Sequence, residues 1–102
     1  MPILPTIKQK PITKKQNPYI LILHNDDDHT VDYVVNMCMS VFNHTQEKGV
    51  QVAQEVHFTG RSILFSGSLE VAELKQEQVN ALGPDPLIPH CKGPMTTTIE
   101  QT

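Results

Sequence analysis

The sequence predicts one small two-layer α+β domain, with three helices on one face of a three-stranded antiparallel sheet. Three observations lead to this prediction. There are three short β-favouring runs, there are three stretches with apolar residues at helical spacing, and they follow one another in the order β-α-α-β-α-β. The 102 residues suffice for a single domain with one modest hydrophobic core. We place the folded domain at residues 19–102.

The first strand is predicted over residues 19–24, a six-residue β-favouring run that follows Pro18. Because the run is largely apolar, it is typical of a strand that is buried on both faces. The turn-forming residues 25–28 end it. Thr30 is a suitable N-cap for the first helix, whose apolar face is formed by Val31, Val34, Val35, Cys38, Val41 and Phe42.

The remaining elements are delimited by capping residues and glycines. The second helix is predicted from a Thr45 cap to Gly60, and the third from a Ser68 cap to Gly83. The second strand is predicted over residues 62–66. Four prolines between positions 83 and 94 exclude a regular element there, and a last strand is predicted over residues 95–100.

Charge and cysteine content limit the classes of function. The first 18 residues hold four lysines, four prolines and no acid, so the remaining 84 carry a net charge of −7 within a total of −3. We predict a flexible basic arm over residues 1–18, which is either a solvated tail or a segment that docks on an acidic partner. Mild acidity and the lack of a long apolar run argue against nucleic-acid binding and membrane insertion. Two distant cysteines indicate free thiols in the cytoplasm.

One polar cluster is a candidate for chemistry. His24, Asp26, Asp28 and His29 offer ligands for a metal ion, so a small metal-dependent enzyme is one alternative. A turn that caps the following helix is the favoured interpretation of the same residues. Elsewhere the sequence has neither a nucleophile motif nor a phosphate-binding loop. It therefore favours a binding module over an enzyme, and it predicts no metal and no cofactor.

Three motifs, in this order and spacing, resemble those of the ClpS family, the adaptors of the Clp AAA+ protease. They are Leu-His-Asn-Asp-Asp at residues 23–27, Val-His-Phe-Thr-Gly at residues 56–60 and Glu-Val-Ala-Glu-Leu-Lys at residues 70–75. Members of this family bind N-degrons, which are proteins with a bulky hydrophobic first residue, and deliver them to a Clp ATPase. The resemblance implies the same fold, a binding function without catalysis and no cofactor. We expect the chain to act as a monomer.

The resemblance also assigns roles to individual residues. Asn25, Asp26 and His57 are implied to bind the α-amino group and the adjacent backbone, and Asp27 is implied to orient their loop. An apolar pocket for the first side chain is implied to be lined by His29, Val31, Val34, Ala53, Val56 and Met95.

Two further family features concern the partner ATPase. In the family, an acid and a lysine of the third helix meet the N-terminal domain of the ATPase, and these positions correspond to Glu70 and Lys75. The basic arm resembles the variable extension that helps to deliver the substrate.

Three pocket positions differ from the usual family pattern. His29 stands where threonine is usual, and Val31 and Ala53 stand where methionine is usual. The two shorter side chains remove volume from the pocket wall. We therefore expect a pocket that accepts Leu, Ile and Val in preference to aromatic first residues. If His29 refills the space, the usual preference for Phe, Tyr, Trp and Leu is expected instead.

Overall fold

The computed structural model describes residues 18–26 and 28–102. Asp27 and all of the predicted arm except Pro18 lie outside this part. The elements are β1 (Tyr19–His24), α1 (Val31–Phe42), α2 (Gln46–Thr59), β2 (Arg61–Gly67), α3 (Leu69–Ala81) and β3 (Thr97–Gln101). Their order and number confirm the predicted α+β fold.

The sheet is antiparallel, in the order β2-β1-β3. The residues Leu21, Ile22 and Leu23 of the central strand β1 are fully buried, as the apolar run predicts. A bulge interrupts the pairing of β1 with β2 at Leu21/Ile22. At the far end, the His24 N–H donates to Thr96 O and the Asn25 N–H donates to Gly60 O, both at 3.0 Å. These bonds hold the end of β1 between the end of α2 and the segment that precedes β3.

Side chains cap the helices at the predicted positions. The hydroxyls of Thr30, Thr45 and Ser68 accept N–H bonds at 3.1 to 3.2 Å from Tyr33, Lys48 and Val71 respectively. Gly60 ends α2 with φ 92°, a left-handed conformation that glycine adopts without strain.

The third helix is buried over a narrow face. Ala72 and Val79 are fully buried, whereas Leu69 and Leu82 are 40% and 42% exposed. These two leucines lie at opposite ends of α3, outside the central part that packs against the sheet. The last strand also begins two residues later than predicted, at Thr97, which leaves Met95 in the preceding loop, where it is buried.

The helices α1 and α2 approach each other closely. A Cβ atom on Gly49 would lie 3.2 Å from Val35 Cα, so a glycine at this position allows the close approach. Met37, Cys38 and Val52 fill the core between these helices and the sheet. Within residues 18–26 and 28–102, no helix is long and apolar enough to cross a bilayer.

Candidate binding pocket

A cavity of about 320 Å³ opens where the end of β1, the start of α1, α2 and the loop before β3 meet. It gathers every described residue that the resemblance assigned to α-amino or side-chain binding, and Thr30 joins them. Asp27 lies outside the described residues. The lining residues are Asn25, Asp26, His29, Thr30, Val31, Val34, Ala53, Val56, His57 and Met95.

The inner wall of this cavity is apolar. Val34 on α1, Ala53 and Val56 on α2, and Met95 from the loop before β3 are all buried. Val31, in the first turn of α1, is 59% exposed and therefore lies at the mouth. Helical spacing explains these positions, since Val31 and Val34 share a face of α1 and Ala53 and Val56 share a face of α2. The cavity can therefore accept an apolar side chain from solvent.

The rim is polar. Asn25 and His57 are exposed, and the His57 ring meets the Phe58 ring edge to face at 4.9 Å. Asp26 is partly buried, and its Oδ1 accepts the Asp28 N–H at 2.9 Å. An amide, a carboxylate and an imidazole thus stand at the mouth of an apolar cavity. Together they can accept several N–H donors of a cationic group.

His29 differs from the apolar wall residue that the resemblance implies. It lines the cavity, but its side chain is only 3% exposed and both of its ring nitrogens are engaged. Nδ1 lies 2.9 Å from Asp26 Oδ1, and Nε2 lies 2.9 Å from the carbonyl oxygen of Gly93. The ring also packs at 4.6 Å from the Tyr33 ring. These contacts make His29 a polar bridge.

Asp85 is a structural residue of the site that sequence reasoning missed. It is 2% exposed, and its carboxylate accepts bonds from the Thr30 N–H at 2.7 Å, the Thr30 hydroxyl at 2.8 Å and the Leu87 N–H at 2.9 Å. It thereby ties the proline-rich loop to the start of α1. The bond from the Leu87 N–H closes a local turn, which the Pro-Asp-Pro sequence could have indicated. The bonds to Thr30 cross 55 residues and leave no sequence signal.

The hydrogen bonds of Asp85 predict a loss of stability in acid. Burial alone raises the pKa of the Asp85 carboxyl, but hydrogen bonds from the Thr30 and Leu87 N–H groups and the Thr30 hydroxyl outweigh it, so the net pKa lies below 3.8. Because the pKa of Asp85 is lowered in the folded state, its carboxylate stabilises the fold. This stabilisation is complete above the unfolded-state pKa and is lost as the pH falls through the folded-state pKa. We expect the melting temperature to decrease as the pH is lowered below about 4.

Thermal unfolding followed by circular dichroism at a series of pH values measures this effect. The Asp85→Asn variant is expected to melt at a lower temperature near neutral pH and to lose less on acidification. Parallel pH profiles for the two proteins would contradict the assignment.

The metal-dependent alternative finds no support in the geometry. His24 Nε2 lies 2.7 Å from Thr98 Oγ1 on β3, and Asp28 Oδ1 pairs with His90 Nε2 at 2.9 Å. Asp26 is engaged by the Asp28 N–H and by His29. Across residues 18–26 and 28–102, no three His, Cys, Asp or Glu side chains are grouped so that they could hold a metal ion.

The two residues implied to meet an ATPase lie on α3. Glu70 is exposed in the first turn of this helix. Lys75 is half-buried, and its Nζ donates to Val41 O at 2.8 Å and lies 6.0 Å from the centre of the Phe42 ring. Since Val41 is in the last turn of α1, the ammonium group favourably compensates the partial negative charge of that helix end.

Comparison with known protein sequences matches this chain to one family. The family model for "ATP-dependent Clp protease adaptor protein ClpS" matches residues 14–87. The ATP-dependent Clp protease adapter protein ClpS of Desulforapulum autotrophicum is 34% identical over 84 residues, which cover 76% of this chain and 81% of the relative. Its namesake in Vibrio atlanticus is 37% identical over 73 residues, covering 70% and 69%.

The fold also matches that of a solved structure. It is the structure of Agrobacterium tumefaciens ClpS2 bound to L-phenylalaninamide, with a TM-score of 0.72 and 23% sequence identity. The match covers 85% of this chain and 99% of that one. At this level of identity the similarity establishes the shared fold.

Proposed function

The chain belongs to the ClpS family of Clp protease adaptors, and from this premise we propose that its cavity binds the first residue of N-degron substrates. The supporting observation is that the amide, carboxylate and imidazole stand at the mouth of a cavity with an apolar wall. A free N-terminus with a bulky hydrophobic residue has the same division into a polar and an apolar part. The proposed activity is binding without a catalytic step.

The rim chemistry suits an α-ammonium group. An α-amino group has a pKa near ~7.7–8.0 and is mostly cationic at neutral pH. Asp26 offers negative charge, and its Oδ2 has a single hydrogen-bond contact within the described residues, to His29 Nδ1 at 3.1 Å. A neutral ring nitrogen of His57 accepts a second N–H, and Asn25 can accept as well as donate. Hydrogen bonds to charged groups contribute about 1.5–3 kcal/mol each.

We propose that the apolar part of the pocket prefers Leu, Ile and Val. Val31 stands at the mouth and Ala53 in the wall, and both are shorter than the methionine that is usual in the family. A short mouth residue leaves room for a methyl branch on Cβ of the substrate. The His29 ring is held by its two hydrogen bonds, which argues against its moving to refill the space. The A. tumefaciens relative binds L-phenylalaninamide, so an aromatic first residue is the most informative comparison.

Delivery is proposed to involve a second surface and the basic arm. Glu70 and Lys75 on α3 are candidates for contact with the N-terminal domain of a Clp ATPase. The arm at residues 1–18 is proposed to help pass the substrate to that ATPase. We expect the protein to bind substrate as a monomer. The free thiols Cys38 and Cys91 support a cytoplasmic location.

A panel of peptides that differ only in residue one tests the proposal. Fluorescence polarisation is expected to show tight binding of a Leu-initiated peptide, slightly weaker binding of Ile and Val, and Phe, Tyr and Trp weaker than Leu by about tenfold. An Nα-acetylated Leu peptide is the control and is expected not to bind. Binding of the acetylated peptide would contradict recognition of the N-terminus. Tight Phe binding without Ile or Val binding would contradict the aliphatic preference alone.

A further inference from the structure

We infer that His29 is a positioning residue, which holds the Asp26 carboxylate in the orientation that receives the α-amino group of the substrate. This inference rests on the proposed function of the cavity. It assigns His29 a task other than lining an apolar wall, and the task depends on contacts that do not involve the substrate.

The first step is the chemistry of the two contacts. The two oxygens that face the ring are Oδ1 of the Asp26 carboxylate and the backbone carbonyl oxygen of Gly93. An ionised carboxylate and a carbonyl can only accept, so a ring nitrogen that bonds to either oxygen does so through its N–H. With its side chain 3% exposed, His29 leaves little room for water to replace either bond. The ring therefore joins the rim of the cavity to the loop that precedes β3.

The second step is that the ring itself is fixed. Gly93 is 64 residues from His29 in sequence, so the bond to its carbonyl is a tertiary anchor. The Tyr33 ring lies at 4.6 Å, and the Tyr33 hydroxyl donates to Gly83 O. Cys91 Sγ lies 3.4 Å from His29 Nε2 and accepts the Asp85 N–H at 3.2 Å. Partners from α1 and from the loop thus surround the imidazole, and they limit its rotation.

The third step is the effect on Asp26. Its Oδ1 accepts two bonds, from the Asp28 N–H and from His29 Nδ1. These two donors fix the plane of the carboxylate. Its Oδ2 has only the contact to His29 Nδ1 at 3.1 Å within the described residues, so it keeps acceptor capacity for an incoming ammonium group. Without His29, the Asp28 N–H alone would hold the carboxylate, and the group could rotate about its side-chain bonds. Each binding event would then include the entropic cost of ordering the carboxylate, and affinity would fall, because preorganisation lowers this cost.

Two amide substitutions separate the contacts that His29 makes. The amide nitrogen of asparagine reaches the position of Nδ1, whereas that of glutamine reaches the position of Nε2. His29→Asn can therefore keep the bond to Asp26, and His29→Gln can keep the bond to Gly93. We expect His29→Gln to weaken Leu-, Ile- and Val-initiated peptides by the same factor of about ten. His29→Asn is expected to cost clearly less.

A double-mutant cycle tests whether His29 acts through Asp26. In an Asp26→Asn background, His29→Gln is expected to cost less than about twofold in affinity, since the carboxylate that it would misplace is already gone. Thermal unfolding verifies that each variant is folded. The control is His90→Gln. It removes the exposed ion pair between His90 and Asp28, a residue in the same loop as Asp26, and it is expected to leave peptide affinity unchanged.

The possible outcomes distinguish the inference from the proposed function. Equal losses for the Asn and Gln variants, or fully additive losses in the cycle, would overturn the positioning role while the unaltered chain still binds Leu-initiated peptides. If the unaltered chain binds none of the peptides, the proposed function fails, and the positioning role fails with it.

Discussion

Asp26→Asn is expected to weaken the binding of peptides with a free α-amino group by about 10- to 150-fold, because a hydrogen bond to a charged group is worth about 1.5–3 kcal/mol. Asparagine has nearly the same size and can still accept the Asp28 N–H. The asparagine side chain carries no charge, and its amide NH₂ would face the N–H donors of the peptide's α-ammonium group. Isothermal titration calorimetry with a Leu-initiated peptide measures the change.

A matched substitution controls for loss of charge in general. Asp32 is an exposed acid in the first turn of α1 and does not line the cavity. Asp32→Asn removes one negative charge, as Asp26→Asn does, and is expected to change the dissociation constant by less than about twofold. Equal dissociation constants for the two variants would show that the Asp26 carboxylate does not receive the α-amino group.

Refilling the cavity is expected to change its selectivity. In a Val31→Met, Ala53→Met double variant, Ile- and Val-initiated peptides are expected to lose at least about tenfold in affinity relative to Leu. Val31 lies at the mouth, where a longer side chain would meet the Cβ branch of the substrate. Ala53 lies in the wall, where methionine takes up the volume beside it. Competition titrations against a labelled Leu peptide give the ranking.

The two single variants separate selectivity from damage to the core. Val31 is 59% exposed, so methionine there does not disturb the packed interior. Ala53 is 6% exposed, and a larger side chain could overpack the wall at a cost of about 1–3 kcal/mol. Leu69→Met controls for the added methionine, because Leu69 is 40% exposed on α3 and does not line the cavity. An unchanged ranking in Val31→Met would refute a gating role for this residue.

Much of the fold could be predicted because its signals are local. The caps at Thr30, Thr45 and Ser68 act over three residues, and the apolar run of β1 is a continuous stretch. The exposed ends of α3 could not be predicted in this way. Helical spacing marks which residues share a face, but the extent of that face which meets the sheet depends on packing.

The candidate site divides in the same manner. The sequence alone determined which residues gather at the cavity, because short motifs around Asn25 and His57 match a family whose fold brings them together. Only the tertiary structure decided that His29 bridges Asp26 to Gly93 and that Asp85 holds the start of α1, across 64 and 55 residues. Such bonds form between segments that packing alone makes neighbours. A hydrogen-bonding side chain carries no local mark of its distant partner.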